Sequence, residues 1–95
     1  MTHHYHRYTF LVHGTVQGVF FRAYTQRSAR AHNISGFVYN TSNGKVAGEA
    51  QGIKENLDKF WKDIDRGSPK SHVIRVDKNE INTVEGEEGF EIKKG

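Results

Sequence analysis

Tyr8, Phe10 and Val12 alternate with Arg7, Thr9 and Leu11 between Arg7 and His13. That period of two, carried by aromatic and β-branched side chains, predicts a first strand. A loop containing Gly14 and Gly18 follows. Arg22 to Asn33 then has neither Pro nor Gly, which predicts a helix whose thin inner stripe is Thr25, Ser28, Ala29 and His32. Ile34 to Asn40 and Val46 to Gln51 read as two further strands joined through Thr41, Ser42, Asn43 and Gly44. The Asn43, Gly44 pair marks a hairpin, because both residues tolerate positive φ. Ile53, Leu57, Phe60, Trp61 and Ile64 fall on one face of an amphipathic helix that Gly67 and Pro69 end. His72 to Val76 predicts a fourth strand, Phe90 with Ile92 a short fifth, and the polar run Asp77 to Gly89 a mobile connection. The order strand, helix, strand, strand, helix, strand predicts an α+β protein, a ferredoxin-like βαββαβ sandwich. Its sheet is mainly antiparallel, with two helices on one face and a short C-terminal strand added.

Length limits this pattern to one unit. With 95 residues and 35% hydrophobic side chains, the chain has room for a single domain, residues 1–95, with a modest core. Residues 1–6 are read as a flexible tail, and His3, His4 and His6 as solvated side chains or a tag remnant, because a metal site needs fixed geometry and supporting contacts. The absence of cysteine excludes disulfides, thiolate metal sites and a cysteine nucleophile. No stretch is long and apolar enough to suggest a signal peptide or a membrane span, so a soluble cytoplasmic protein is expected. Net charge is +3, but the distribution is uneven: Met1 to Gly48 holds five basic and no acidic residues, the rest nine basic and eleven acidic. Such an imbalance either draws an anionic ligand to the N-terminal half or is an ordinary solvated basic surface.

The chemistry concentrates in the loop Thr15, Val16, Gln17, Gly18, Val19, Phe20, Phe21, which leads into the first helix at Arg22. Unpaired amides at a helix start bind tetrahedral anions through their N–H groups and the helix dipole, and glycines let the backbone curl around the oxygens. Arg22 lies where its guanidinium can engage the same anion bidentately. Glycine in such a loop equally serves turn geometry alone. The motif lacks the lysine of a nucleotide P-loop and the spacing of a dinucleotide fingerprint. Phe20 and Phe21 are both read as core residues that anchor the loop.

The run VHGTVQGVFFR, Val12 to Arg22, matches the acylphosphatase signature GxVQGVxFR at every specified position. A second run, Gly36 to Gly52, GFVYNTSNGKVAGEAQG, resembles that family's other signature in its aromatic after glycine, its asparagine, and its later GxV and glycine. Two departures stand out: Tyr39 replaces a basic or amide residue before the asparagine, and the ending EIKKG lacks the C-terminal tyrosine of the animal enzymes, where the chain end helps to hold the arginine.

The resemblance implies a hydrolase of acyl phosphates that needs no cofactor or metal. In that reading the amides of Thr15 to Phe21 and the side chain of Arg22 hold the phosphoryl group, and Asn40 positions the attacking water. The family's expected proton acceptor is a substrate phosphate oxygen, which suits a chain whose first 48 residues hold no carboxylate. Inorganic phosphate and sulfate should compete with the substrate, and a monomer that binds neither nucleic acid nor membrane is expected. Alternation places His13 on the strand face opposite Tyr8, Phe10 and Val12, as a structural or surface residue. From its residue type alone, Asn40 would be a turn or strand-end cap. The competing reading is an RNA-binding module of the same topology, suggested by net charge and by Tyr8 and Phe10. It is weakened by the lack of aromatics on the third strand, where such modules stack bases. A non-catalytic ligand-binding regulatory domain is a further alternative.

Overall fold

A computed structural model describes residues 4–16 and 19–94. The elements are β1 (Tyr5–Thr15), α1 (Val19–Ala31), β2 (Ser35–Asn40), β3 (Val46–Ile53), α2 (Lys54–Arg66), β4 (His72–Ile81) and β5 (Phe90–Ile92). The five strands form one sheet in the order β4-β1-β3-β2-β5, antiparallel except where β5 runs parallel to β2. β1 and β2 therefore point the same way with β3 between them, as the predicted sandwich requires.

Both helices pack on one face of the sheet. Phe10, Val12, Val38 and Val46 point into the core from the strands and meet Phe21 and Ala29 of α1 and Leu57, Phe60 and Ile64 of α2. Phe10 meets Phe60 and Trp61 edge-on at 6.0 and 5.8 Å. Each of these buried valine, leucine, isoleucine and phenylalanine side chains is worth about 1.5–3 kcal/mol, so this cluster supplies most of the drive to fold. The thin inner stripe of α1 is explained by its partners. Thr25 donates to the Phe21 carbonyl at 2.9 Å and Ser28 to Asp63 Oδ2 at 2.7 Å, so small polar residues are buried with their hydroxyls paired.

Several boundaries differ from the sequence expectation, each for a local reason. β1 starts at Tyr5, paired with Ile53, so Tyr5 and His6 belong to the sheet and not to a tail; His3 lies outside the described residues. α1 opens at Val19, three residues early, and closes at Ala31. Asn33 takes φ 56°, with Ile34 N–H donating to the Ala29 carbonyl at 2.8 Å and Asn33 N–H to that of Arg30 at 3.4 Å. This is a Schellman ending with asparagine in the left-handed position. Ile53 closes β3 with extended backbone and does not open α2. The hairpin is wider than a two-residue turn: only Gly44 has positive φ, and Thr41 N–H donates to the Lys45 carbonyl at 2.8 Å.

The largest difference lies in Asp77 to Gly89. β4 continues to Ile81, paired with β1 as far as Arg7, although its side chains are mostly exposed. An edge strand needs only backbone partners on one side, and its charged surface leaves no apolar alternation to read. The rest of the segment is pinned to the sheet face that the helices leave open. Arg7, 2% exposed, donates to both Glu87 oxygens at 2.7 and 3.1 Å, to Glu49 at 2.7 Å and to Gln51 at 3.1 Å. Gln51 in turn donates to the Val84 carbonyl at 2.9 Å and accepts its N–H at 2.8 Å.

Candidate active site

The parallel run of β1 and β2 brings both signature segments to the same end of the sheet. β1 ends at Thr15 and leads into the loop before α1; β2 ends at Asn40. The register carries Asn40 to Val46 and Val46 to Val12, so the asparagine and the last buried residue of β1 lie in one row. Asn40 is two residues beyond fully buried Val38, and strand alternation sends its side chain to the helix-covered face, beneath α1.

Apolar anchors bracket the loop. Val16 is 1% exposed and Phe21 2%, so the chain is fixed in the core on either side of the turn. Gln17 and Gly18, expected to contribute phosphate-binding amides, lie outside the described residues. The expected amides of Val19, Phe20 and Phe21 occupy the first turn of α1, where N–H groups have no acceptor within the helix. That turn holds no acidic residue, so no internal carboxylate competes for the helix N-terminus. Thr15 lies at the exposed end of β1, across from His72 on β4. His72 is a titratable neighbour that only the strand pairing reveals.

Gly14 has a different role from the one expected of the loop glycines. It sits at a bulge between β1 and β4 with φ 133°, and a Cβ there would stand 2.0 Å from the His72 carbonyl oxygen. Its task is close backbone approach, not curvature around an anion. Phe21 is a core residue as expected, but Phe20 is 81% exposed, which corrects the assignment of both rings to the core.

Arg22 lies in the first turn of α1, and none of the ion pairs among the described residues involves it. Its Nε is buried without a hydrogen-bond partner, and so is Oδ1 of Asn40; among the described residues these are the only buried side-chain polar atoms left in that state. A buried unpaired polar atom costs about 1–3 kcal/mol, and both fall on residues that the sequence singles out for chemistry. Other predicted or neighbouring side chains are tied up elsewhere. His13 Nε2 lies 2.8 Å from Asp77 Oδ2 on the open face. Tyr39 stacks on Phe37 at 6.3 Å on that same face, so the departure before Asn40 does not enter the site. Tyr8 packs against Trp61 and Phe10 is buried, so neither aromatic that suggested an RNA-binding module lies on the open face.

The acylphosphatase family model matches residues 8–92. The chain belongs to the acylphosphatase family. It is 40% identical over 86 residues to an acylphosphatase of Bacillus licheniformis, covering 90% of this chain and 96% of the relative. It is 42% identical over 74 residues to acylphosphatase-2 of Mus musculus, covering 77% and 70% of the two chains. The crystal structure of acylphosphatase from Bacillus subtilis superposes with a TM-score of 0.87 at 34% identity, covering 93% of this chain and 98% of that one. Likeness therefore extends over most of the chain and across the fold. Among the described residues no helix is long and apolar enough to cross a membrane.

Proposed function

We propose that this acylphosphatase-family chain hydrolyses acyl phosphates to a carboxylate and inorganic phosphate, with the loop amides and Arg22 holding the phosphoryl group and Asn40 placing the water. Family membership supports the hydrolase activity. The assignment of roles rests on one observation: among the described residues, those with orphaned buried polar atoms are Arg22 and Asn40. A donor in the first turn of α1 and an amide beneath that helix suit a reaction that needs charge stabilisation at the phosphoryl oxygens and orientation of a nucleophile. Acyl phosphates carry a good carboxylate leaving group, so little general-acid help is required. A phosphate oxygen of the substrate takes the proton, consistent with His13 being paired to Asp77.

The chain acts in this reading as a monomer, without metal. Phosphate release from acetyl phosphate or benzoyl phosphate, measured with EDTA present, tests it directly. Turnover is expected to be the same with and without chelator and to be inhibited competitively by inorganic phosphate or sulfate. A strict magnesium requirement, or indifference to millimolar phosphate, would overturn the mechanism.

A further inference from the structure

β5 carries the chain to the level of Asn40. Gly36, Phe37 and Val38 of β2 pair in parallel with Phe90, Glu91 and Ile92, and Lys93 N–H donates to the Val38 carbonyl at 2.8 Å. The chain is therefore still alongside β2 at Lys93, and the same register taken two residues past Val38 and Ile92 sets Lys94 level with Asn40. Contacts on both faces fix the alternation of side chains. Phe90 is buried and Ile92 packs against the core, whereas Lys93 Nζ lies 4.2 Å from the centre of the Phe37 ring on the open face. One residue on, Lys94 returns to the helix-covered side, the side that Asn40 shares.

α1 brings Arg22 to the same corner. The helix packs on β2 and β5, and Gln26 Nε2 donates to the Phe90 carbonyl at 2.8 Å. Arg22 precedes Gln26 by four residues, so the two share one stripe of the helix. α1 begins at the end of the sheet where β1, β2 and β5 all finish. From Gln26 to Arg22 the helix climbs about 6 Å toward that end, and from Phe90 to Lys94 the strand climbs about 13 Å. An arginine reaches beyond its own Cα toward the helix N-terminus, and the four-carbon stem of a lysine spans what remains. None of the ion pairs among the described residues involves Lys94. The other stretches that meet at this end, residues 13–22, 41–45 and 67–72, contain no acidic side chain.

We infer that Lys94 is a second cation for the phosphoryl group, acting with Arg22 across the corner that holds Asn40. This inference rests on the acyl phosphate reading and adds a binding residue to it. A phosphate group near pH 7 carries close to two negative charges, more than Arg22 alone balances. The two cations divide the work by geometry: Arg22 supplies a planar fork, and Lys94 a compact point charge on a flexible stem. A contact made equally in the ground state and the transition state appears in KM and not in kcat.

The test measures kcat and KM for benzoyl phosphate, and the inhibition constant for inorganic phosphate, in the wild type, Lys94→Gln, Lys94→Arg and Lys93→Gln. Lys94→Gln is expected to raise KM and the inhibition constant about fivefold, the size of one exposed ion pair, while kcat stays within about twofold. That gap should narrow above about 0.5 M salt. Lys94→Arg keeps the charge and should hold the wild-type constants within about twofold. Lys93→Gln removes the same charge from the opposite face and should leave phosphate inhibition unchanged. A rise of less than about twofold in Lys94→Gln, or an equal rise in Lys93→Gln, would overturn the inference and leave the hydrolase reading standing. A wild-type protein that hydrolyses neither benzoyl nor acetyl phosphate would remove both.

Discussion

An asparagine at a strand end and an arginine in a first helical turn are ordinary residues until their surroundings are known. Here both bury a polar atom that none of the described residues satisfies, an arrangement that ordinarily costs stability. This gives activity and stability opposite signs. Asn40→Ala is expected to lower kcat by ~10² or more with phosphate affinity nearly unchanged, since water positioning acts mainly in the transition state. Removing the orphaned Oδ1 should leave the melting temperature equal or higher. A mere hairpin cap would do the reverse, costing about 1 kcal/mol and sparing kcat. Kinetics, phosphate inhibition and melting on one preparation decide between the two. For Arg22→Ala, KM should rise and kcat fall by ~10² or more, and phosphate inhibition should disappear. Lysine restores only part of this, lacking the planar fork. Wild-type turnover in Arg22→Ala would remove the arginine from the chemistry.

Among elements, the segment between β4 and β5 depends most on a single side chain. Glu87 lies in it, Glu49 and Gln51 project from β3, and Arg7 of β1 joins all three. Arg7→Ala would leave two carboxylates partly buried without their cation, which should cost about 3 kcal/mol, the lower end for breaking a buried pair because both glutamates keep some solvent contact. Hydrogen exchange should then rise first in residues 82–89, with the core strands losing protection only through the global loss of stability. Equal loosening of β1, β3 and this segment would show that Arg7 acts through the whole sheet. Because the network lies on the open face, phosphate inhibition should survive the change.

On the scale of the whole molecule, three carboxylates tie separate contacts to pH. The hydrogen bond from Arg7 holds Glu87 below its ordinary range. The hydrogen bond from His13, with help from Arg75, does the same for Asp77 at the β1–β4 edge. Burial alone would raise Asp63, but hydrogen bonds from Ser28, His32 and Arg66 outweigh it and lower its pKa at the contact between the helices. A pKa depressed by folding stabilises the protein above the unfolded value, near 4, and that stabilisation is lost as pH falls through the folded value. Melting temperature should therefore be level from pH 7 to about 5 and decline below about 4. Asp63→Asn should start lower at pH 7 and lose less on acidification; an acid slope identical to the wild type would discount Asp63. Saturating inorganic phosphate should raise the wild-type melting temperature by mass action and fail to do so in Arg22→Ala.

Periodicity sufficed for the strand and helix order because core-facing side chains at period two or 3.6 are what burial demands, as in Phe10 and Val12 or Leu57, Phe60, Trp61 and Ile64. The two signature runs likewise named Arg22 and Asn40 before any geometry, since that pattern is local in the chain. What residue order could not carry was everything that depends on a partner distant in sequence. Arg7 looked like an outward strand position and is buried because Glu49 and Glu87 reach it from 42 and 80 residues away. Asp77 to Ile81 looked like a loop and is a strand because β1 offers its backbone. Phe20 and Phe21 are identical in type, and only the placement of α1 against the core sends one inward and leaves the other exposed. Basic charge in the first half of the chain could serve an anion or a solvated surface, yet ion pairing neutralises Arg7, and among the described residues no ion pair involves Arg22. Local pattern determines which face of an element is apolar; which polar group finds a partner, and which stays unpaired for a ligand, is decided only when distant segments meet.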